Sequence, residues 1–205
     1  MTVSAASGTI RRPIRPGGPL SFDLDQRTGW PEELLGLLKQ FPRETWRVHT
    51  SPVAQFWLDR HDAFRREAET LEAMTNEYRA ERVATREFAV KSAPRLQNML
   101  GHLHGHHQIE DFHYFPHFRT AEPRLERGFE TLEKDHRTLH EGIEQVVETF
   151  NALAATLGEQ PGADLDAQRR AGERYVEASL LLYRRLARHL DDEEDLIIPL
   201  MLHRG

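Results

Sequence analysis

Residues 101–116 read GHLHGHHQIEDFHYFP, and residues 188–199 read RHLDDEEDLIIP. Each stretch holds a histidine, a glutamate four positions later and a proline ten positions after the histidine. These are His106, Glu110 and Pro116 in the first, and His189, Glu193 and Pro199 in the second. On an α-helix, residues four apart sit one above the other on the same face. An imidazole nitrogen and a carboxylate oxygen at that spacing can reach one ion together. Two copies of the pair, far apart along the chain, point to a metal held between helices.

The segments around the two stretches carry the helical pattern. Ser51-Pro52 starts a helix, with the serine as cap and the proline in the first turn. Trp57, His61, Phe64, Ala68 and Leu71 then follow the three-and-four spacing of a buried stripe. The pattern fades after Met74, and a stop or bend is expected between Thr75 and Ser92. Pro94 opens a second helix along Leu96, Leu100, Leu103, His106, Glu110 and Tyr114, ending close to Pro116. Pro123 opens a third along Leu125, Phe129, Leu132, His136, Leu139 or His140, Ile143, Val147 and Phe150. The sequence GEQPGAD at residues 158–164 is a break. A fourth helix then carries Val176, Ser179, Leu182, Leu186, His189, Glu193 and Leu196 before Pro199.

No strand-period run competes, so the economical fold is all-α: an up-down-up-down four-helix bundle over residues 49–205. Residues 1–48 are expected to form an N-terminal arm. Its first part is rich in Ser, Gly, Pro and Arg, and TGWPEELLGLLKQFP gives a short helix anchored by Trp30, Phe41 and Trp46.

In that topology the starts of the first and third helices share one end with the finishes of the second and fourth. His61 lies early in the first helix and His106 with Glu110 late in the second. His136 and His140 lie in the earlier half of the third, and His189 with Glu193 late in the fourth. At ~1.5 Å per residue these positions fall within one or two turns of a common depth. His136-x-x-x-His140 offers two more imidazoles from one face. So many polar side chains in one core layer are costly to bury unless something satisfies them, and a metal satisfies them together.

Composition narrows the rest. Twelve histidines and no cysteine leave imidazole and carboxylate as ligands, which suit iron, manganese, zinc or copper and exclude thiolate clusters. A net charge of −6 without a basic stripe argues against nucleic acid or an anionic membrane as partner. No run approaches membrane-spanning length, and the N-terminus lacks a continuous apolar secretion core. A soluble cytoplasmic protein is expected.

RHDAFRRE around His61, HHQIEDFHYFP from His106, DHRTLH ending at His140 and HLDDEEDLIIP from His189 together resemble the hemerythrin family, in its bacterial hemerythrin-like (HHE) branch. The resemblance covers about residues 50–200. It implies five histidines and two carboxylates holding two iron ions, bridged by an oxo or hydroxo group, inside a four-helix bundle. Carried over, His136, His140 and His189 would ligate one iron and His61 and His106 the other, with Glu110 and Glu193 bridging. The second iron would then keep a position open for dioxygen or another small diatomic or peroxide ligand.

Two features depart from the family pattern. The oxygen-carrying hemerythrins place the last carboxylate five residues after its histidine, as an aspartate; here that position is Glu194. Glu193 is favoured because it reproduces the spacing of His106 and Glu110. His102, His104, His107, His113 and His117 are surplus; His102, one turn before His106, is a candidate for the outer shell, and the others are expected at the surface. A ferritin-like carboxylate site would instead draw on Glu110-x-x-His113 and Glu133-x-x-His136, but these sit on consecutive helices. The expected function is binding of dioxygen or a related molecule for carriage, storage or sensing. The alternative is a redox enzyme acting on peroxide or nitric oxide, with Tyr114, Tyr183, His102 or His113 as proton donor. A protein partner could dock on the N-terminal arm.

Overall fold

The computed structural model describes residues 21–49, 51–157 and 164–204, and every regular element among them is helical. The arm contributes α1 (Gly36–Gln40) and α2 (Trp46–His49). The long helices follow as α3 (Pro52–Arg79) and α4 (Thr85–Ile109), then the short α5 (Phe115–Ala121), then α6 (Glu126–Ala155) and α7 (Leu165–Arg204). α3 packs on α4 and α7, and α6 packs on α7 and α4, which closes a four-helix ring. None of these helices is long and apolar enough to cross a membrane.

α3 begins as its sequence dictates. Ser51 Oγ accepts the Ala54 N–H at 3.2 Å, and Pro52 sits where a missing N–H costs nothing. It ends within the expected window. Glu81 N–H donates to the Tyr78 carbonyl at 2.9 Å and Arg82 N–H to the Glu77 carbonyl at 3.1 Å, the pairing of a Schellman turn. Glu81 thereby takes φ 56°, a conformation that glycine adopts more readily.

Three prolines behave differently from the sequence reading. α4 starts at Thr85, and Pro94 lies inside it with its ring exposed. The turns before Pro94 are held by buried Phe88, Ala89 and Ser92, the serine hydroxyl donating to the Phe88 carbonyl at 2.7 Å. Burying a side chain the size of Phe88 contributes ~1.5–3 kcal/mol, enough to offset most of the ~3 kcal/mol cost of an interior proline.

Pro116 does not end the second helix either. The helix widens into one π-helical turn over Glu110–Tyr114, where Phe115 N–H donates to the Glu110 carbonyl, and resumes as α5. Such a turn inserts one extra residue, and Pro116, with no N–H to give, falls where the bonding register changes back. α7 passes through Pro199 to Arg204. Its nine residues from Asp192 to Leu200 are all buried, because the bundle covers one side and the arm the other.

The arm is less helical than TGWPEELLGLLKQFP suggests: a three-residue 3-10 turn, Glu32–Leu34, precedes the five-residue α1. Trp30 and Trp46 are buried against the bundle.

The apolar core divides in two. An upper cluster includes Phe64, Leu71, Leu103, Leu139 and Leu186, and a lower one includes Trp57, Phe115, Phe129, Leu132 and Leu196. On each long helix the candidate ligands lie between residues of the two clusters. On α6 the buried stripe takes Val146 rather than Val147, which stands 44% exposed.

Candidate metal centre

Two groups of side chains fill the layer between the clusters. His61, His106, Glu110 and Glu193 bring ligand atoms within 4.8 Å of one another, and so do His107, His136 and His189. In the first group His61 Nε2 and His106 Nε2 are 3.1 Å apart; in the second His136 Nε2 and His189 Nε2 are also 3.1 Å apart. Imidazoles sharing one ion at ~2.0–2.1 Å bring their nitrogens to about this separation.

The two glutamates join the groups. Glu110 turns Oε1 to His106 Nε2 at 2.9 Å and Oε2 to His136 Nε2 at 3.5 Å. Glu193 turns Oε1 towards His61 Nε2 at 3.6 Å and Oε2 to His189 Nε2 at 3.0 Å. Each carboxylate thus offers one oxygen to each histidine group. Trp57 Nε1–H steadies Glu193 through a 2.9 Å bond to Oε1.

A second circle of carboxylates sets the tautomers. His61 Nδ1–H donates to Glu194 at 3.2 Å and His136 Nδ1–H to Asp111 at 2.7 Å. His189 Nδ1 faces Asp135 at 3.6 Å. With Nδ1 directed outward, each ring leaves Nε2 facing the centre of the layer, as metal-binding imidazoles do. Glu194 also accepts Arg65 at 2.6 Å. Burial alone would raise the Glu194 carboxyl, but His61 and Arg65 hold it down to about 2.

The arm reaches this outer circle. Arg27, buried, pairs with Asp135 and donates from Nε to Asp192 at 2.7 Å. Asp192 also accepts both Nε and Nη2 of Arg188, while its carbonyl accepts Trp30 Nε1–H at 2.7 Å. Arg43 pairs with Asp195.

The layer itself is short of partners. Both oxygens of Glu110, Oε2 of Glu193, Nε2 of His107 and Nδ1 of His189 are buried without a hydrogen bond. Burial, and then the adjacent Glu193, push Glu110 well above the usual carboxylate range. Burial, with the imidazole of His61 next, lowers His106 to about 3. Such groups are costly to leave unsatisfied. Cations at the two convergence points would satisfy them, so the donor set fits a metal centre of nitrogen and oxygen ligands.

The structure brings together six of the seven residues expected from the sequence: His61, His106, Glu110, His136, His189 and Glu193. His140 is outside. Its side chain is 47% exposed, 3.3 Å from Glu144 and with its ring 4.9 Å from that of His104. Counting about 100° per residue from His136, Leu139 falls on the side of buried Leu132, Ile143 and Val146, and His140 about 40° the other way.

His107, expected at the surface, stands in the layer instead. It is 5% exposed and stacks on His136 with ring centroids 4.1 Å apart. The signal for it was present: Leu96, Met99, Leu103, His107 and Glu110 continue one stripe, all buried. His102, His104, His113 and His117 are exposed. The ferritin-like pairing is not assembled, since His113 is exposed and Glu133 pairs with Arg119 at 2.8 Å.

A family model described as the hemerythrin HHE cation binding domain matches residues 53–201. Neither the curated proteins nor the solved structures contain a significant match to the chain.

Proposed function

The chain belongs to the hemerythrin family of HHE cation-binding domains, and from that premise we propose that it holds two iron ions and binds dioxygen or a related small molecule beside one of them. His107, His136 and His189 would hold one ion, and His61 and His106 the other, with Glu110 and Glu193 spanning the two. The observation that carries this reading is the pair of carboxylates, each with one oxygen towards each histidine group. The group with two imidazoles supplies fewer ligands, so the small molecule is assigned to that side.

Iron in an imidazole-rich, carboxylate-bridged set exchanges electrons with such a ligand when bound. The chain's own residues prepare the place. Glu194 and Asp111 keep the ring protons of His61 and His136 on the outer nitrogens. Phe64, whose ring lies 5.0 Å from His106, and Phe115, stacked 5.3 Å from His136, keep water from the faces of the layer.

Aerobic iron loading of the metal-free protein tests the reading. About two iron ions per chain are expected, with near-ultraviolet and visible absorption that changes when dioxygen is removed. One iron or none per chain, or absorption indifferent to dioxygen, would sink it. The redox-enzyme alternative has one observation in its favour: Tyr114 lines the same groove as His106. Multiple turnovers of peroxide with an external reductant would favour that version over carriage or storage.

A further inference from the structure

Between α3 and α4 a groove of about 450 Å³ leads from the surface to His106 and Glu110. Its outer part is apolar, with Phe56 57% and Ile109 52% exposed. Its inner part is formed by Trp57 and Tyr114, whose rings meet edge to face at 4.8 Å. His106, with 14% of its side chain exposed, is less buried than the other residues of the ligand layer, and both it and the unpartnered Glu110 line the groove.

Gly101 and Gly105 make the α4 wall, and a Cβ added to either would meet nothing within 4 Å. Close helix packing therefore does not require these glycines, although glycine inside a helix is unfavourable. The groove as a whole is roughly fifteen times a water molecule's share of the liquid, about 30 Å³. It falls within the ~300–1,000 Å³ typical of organic-ligand pockets, far more than a diatomic molecule needs. Arg60 also lines the groove. Its guanidinium lies 5.7 Å from the Phe56 ring, and it has no ion pair among the described residues.

We propose that this groove binds a small aromatic carboxylate. The carboxylate meets Arg60, and the ring lies between the glycine wall and the Trp57 and Tyr114 rings, where edge-to-face contacts suit it. The inner end of the ligand then faces the ion position of His61 and His106. That last point rests on the metal reading above; the groove itself belongs to the chain with or without metal.

Phenylacetate is the probe, titrated calorimetrically into the full chain, metal-free and iron-loaded, with phenylacetamide and acetate as controls. Saturable binding of phenylacetate is expected, at least tenfold tighter than either control. Gly105→Leu fills the groove and weakens phenylacetate at least tenfold, with the thermal midpoint unchanged or raised and metal content retained. Arg60→Gln weakens phenylacetate to the level of the amide. Absence of saturable binding, or binding unchanged by Gly105→Leu, overturns the proposal. Binding lost in Gly105→Leu but unchanged in Arg60→Gln overturns the assigned orientation. If iron fails to load while phenylacetate still binds, the metal reading fails and the groove stands; the reverse result removes the groove alone.

Discussion

The His107 ring lies flat on that of His136, with centroids 4.1 Å apart and planes 11° from parallel, although the two residues stand on different helices. Along with His189, which meets His107 edge to face at 5.4 Å, they make a three-imidazole corner.

If two ions are held as proposed, His107→Ala is expected to lower bound metal from about two ions per chain to about one, because it leaves that group with two imidazoles instead of three. His140→Ala is expected to retain both, since that ring is at the surface. Elemental analysis of the two purified variants after identical loading checks the pair. Equal loss from both variants would contradict the assignment of His107.

Arg27 compensates two buried carboxylates at once, Asp135 and Asp192. Its removal in Arg27→Met leaves charge stranded, which costs ~3–5 kcal/mol for a buried pair. The same change frees Asp135 from its place beside His189, and outer-shell losses of this kind reduce metal affinity ~10–100-fold. Chemical denaturation and competition with a chelator should both register the change. A variant as stable and as tight as the parent would show the arm to be mere cover.

Glu81 closes α3 in a left-handed conformation. Glu81→Gly relieves the clash of its Cβ, and the gain exceeds the added freedom of the unfolded chain by about 0.5–1 kcal/mol. The urea midpoint should rise with an unchanged slope. A lowered midpoint would mean that the Glu81 side chain makes a stabilising interaction.

Metal binding should release protons. Burial alone would lower His189, but Asp135 and Glu193 beside it outweigh burial and raise it to about 9. In the metal-free protein this ring is therefore protonated at pH 7, and its proton must leave before a cation can bind. Apparent affinity is expected to rise as pH increases towards about 9 and to fall below it. Zinc titrations at pH 7 in buffers of differing ionisation enthalpy should give at least one proton released per chain. No buffer dependence would refute this account.

The helical stripes and the paired histidine and glutamate spacings were legible because each follows from helical periodicity; the break expected at residues 158–164 falls almost wholly outside the described residues. The rotation of α6 was not. His136 tolerates either Leu139 or His140 as its inward neighbour, and only packing against α4 and α7 decides between them. The surplus histidines hid His107 for a related reason. His106 and His107 both lie one turn before Glu110, and with two adjacent rings the sequence reads equally well with either inward. The structure uses both, one for each group. Arg27 could not be read at all, since its partners Asp135 and Asp192 lie 108 and 165 residues away. Glu193 and Glu194 are separated by what each accepts: Trp57 on the first, Arg65 on the second.

The extra residue at Glu110–Tyr114 acts as a phase shifter. Upstream of it the α4 side chains are oriented to suit the ligand layer, and downstream Phe115 and Phe118 are oriented to suit the aromatic floor. A single uninterrupted helix would tie those two orientations together at a fixed angle. Here the extra residue resets that angle by about 100°, one residue's rotation, so Glu110 faces its histidines while Phe115 and Phe118 face the floor.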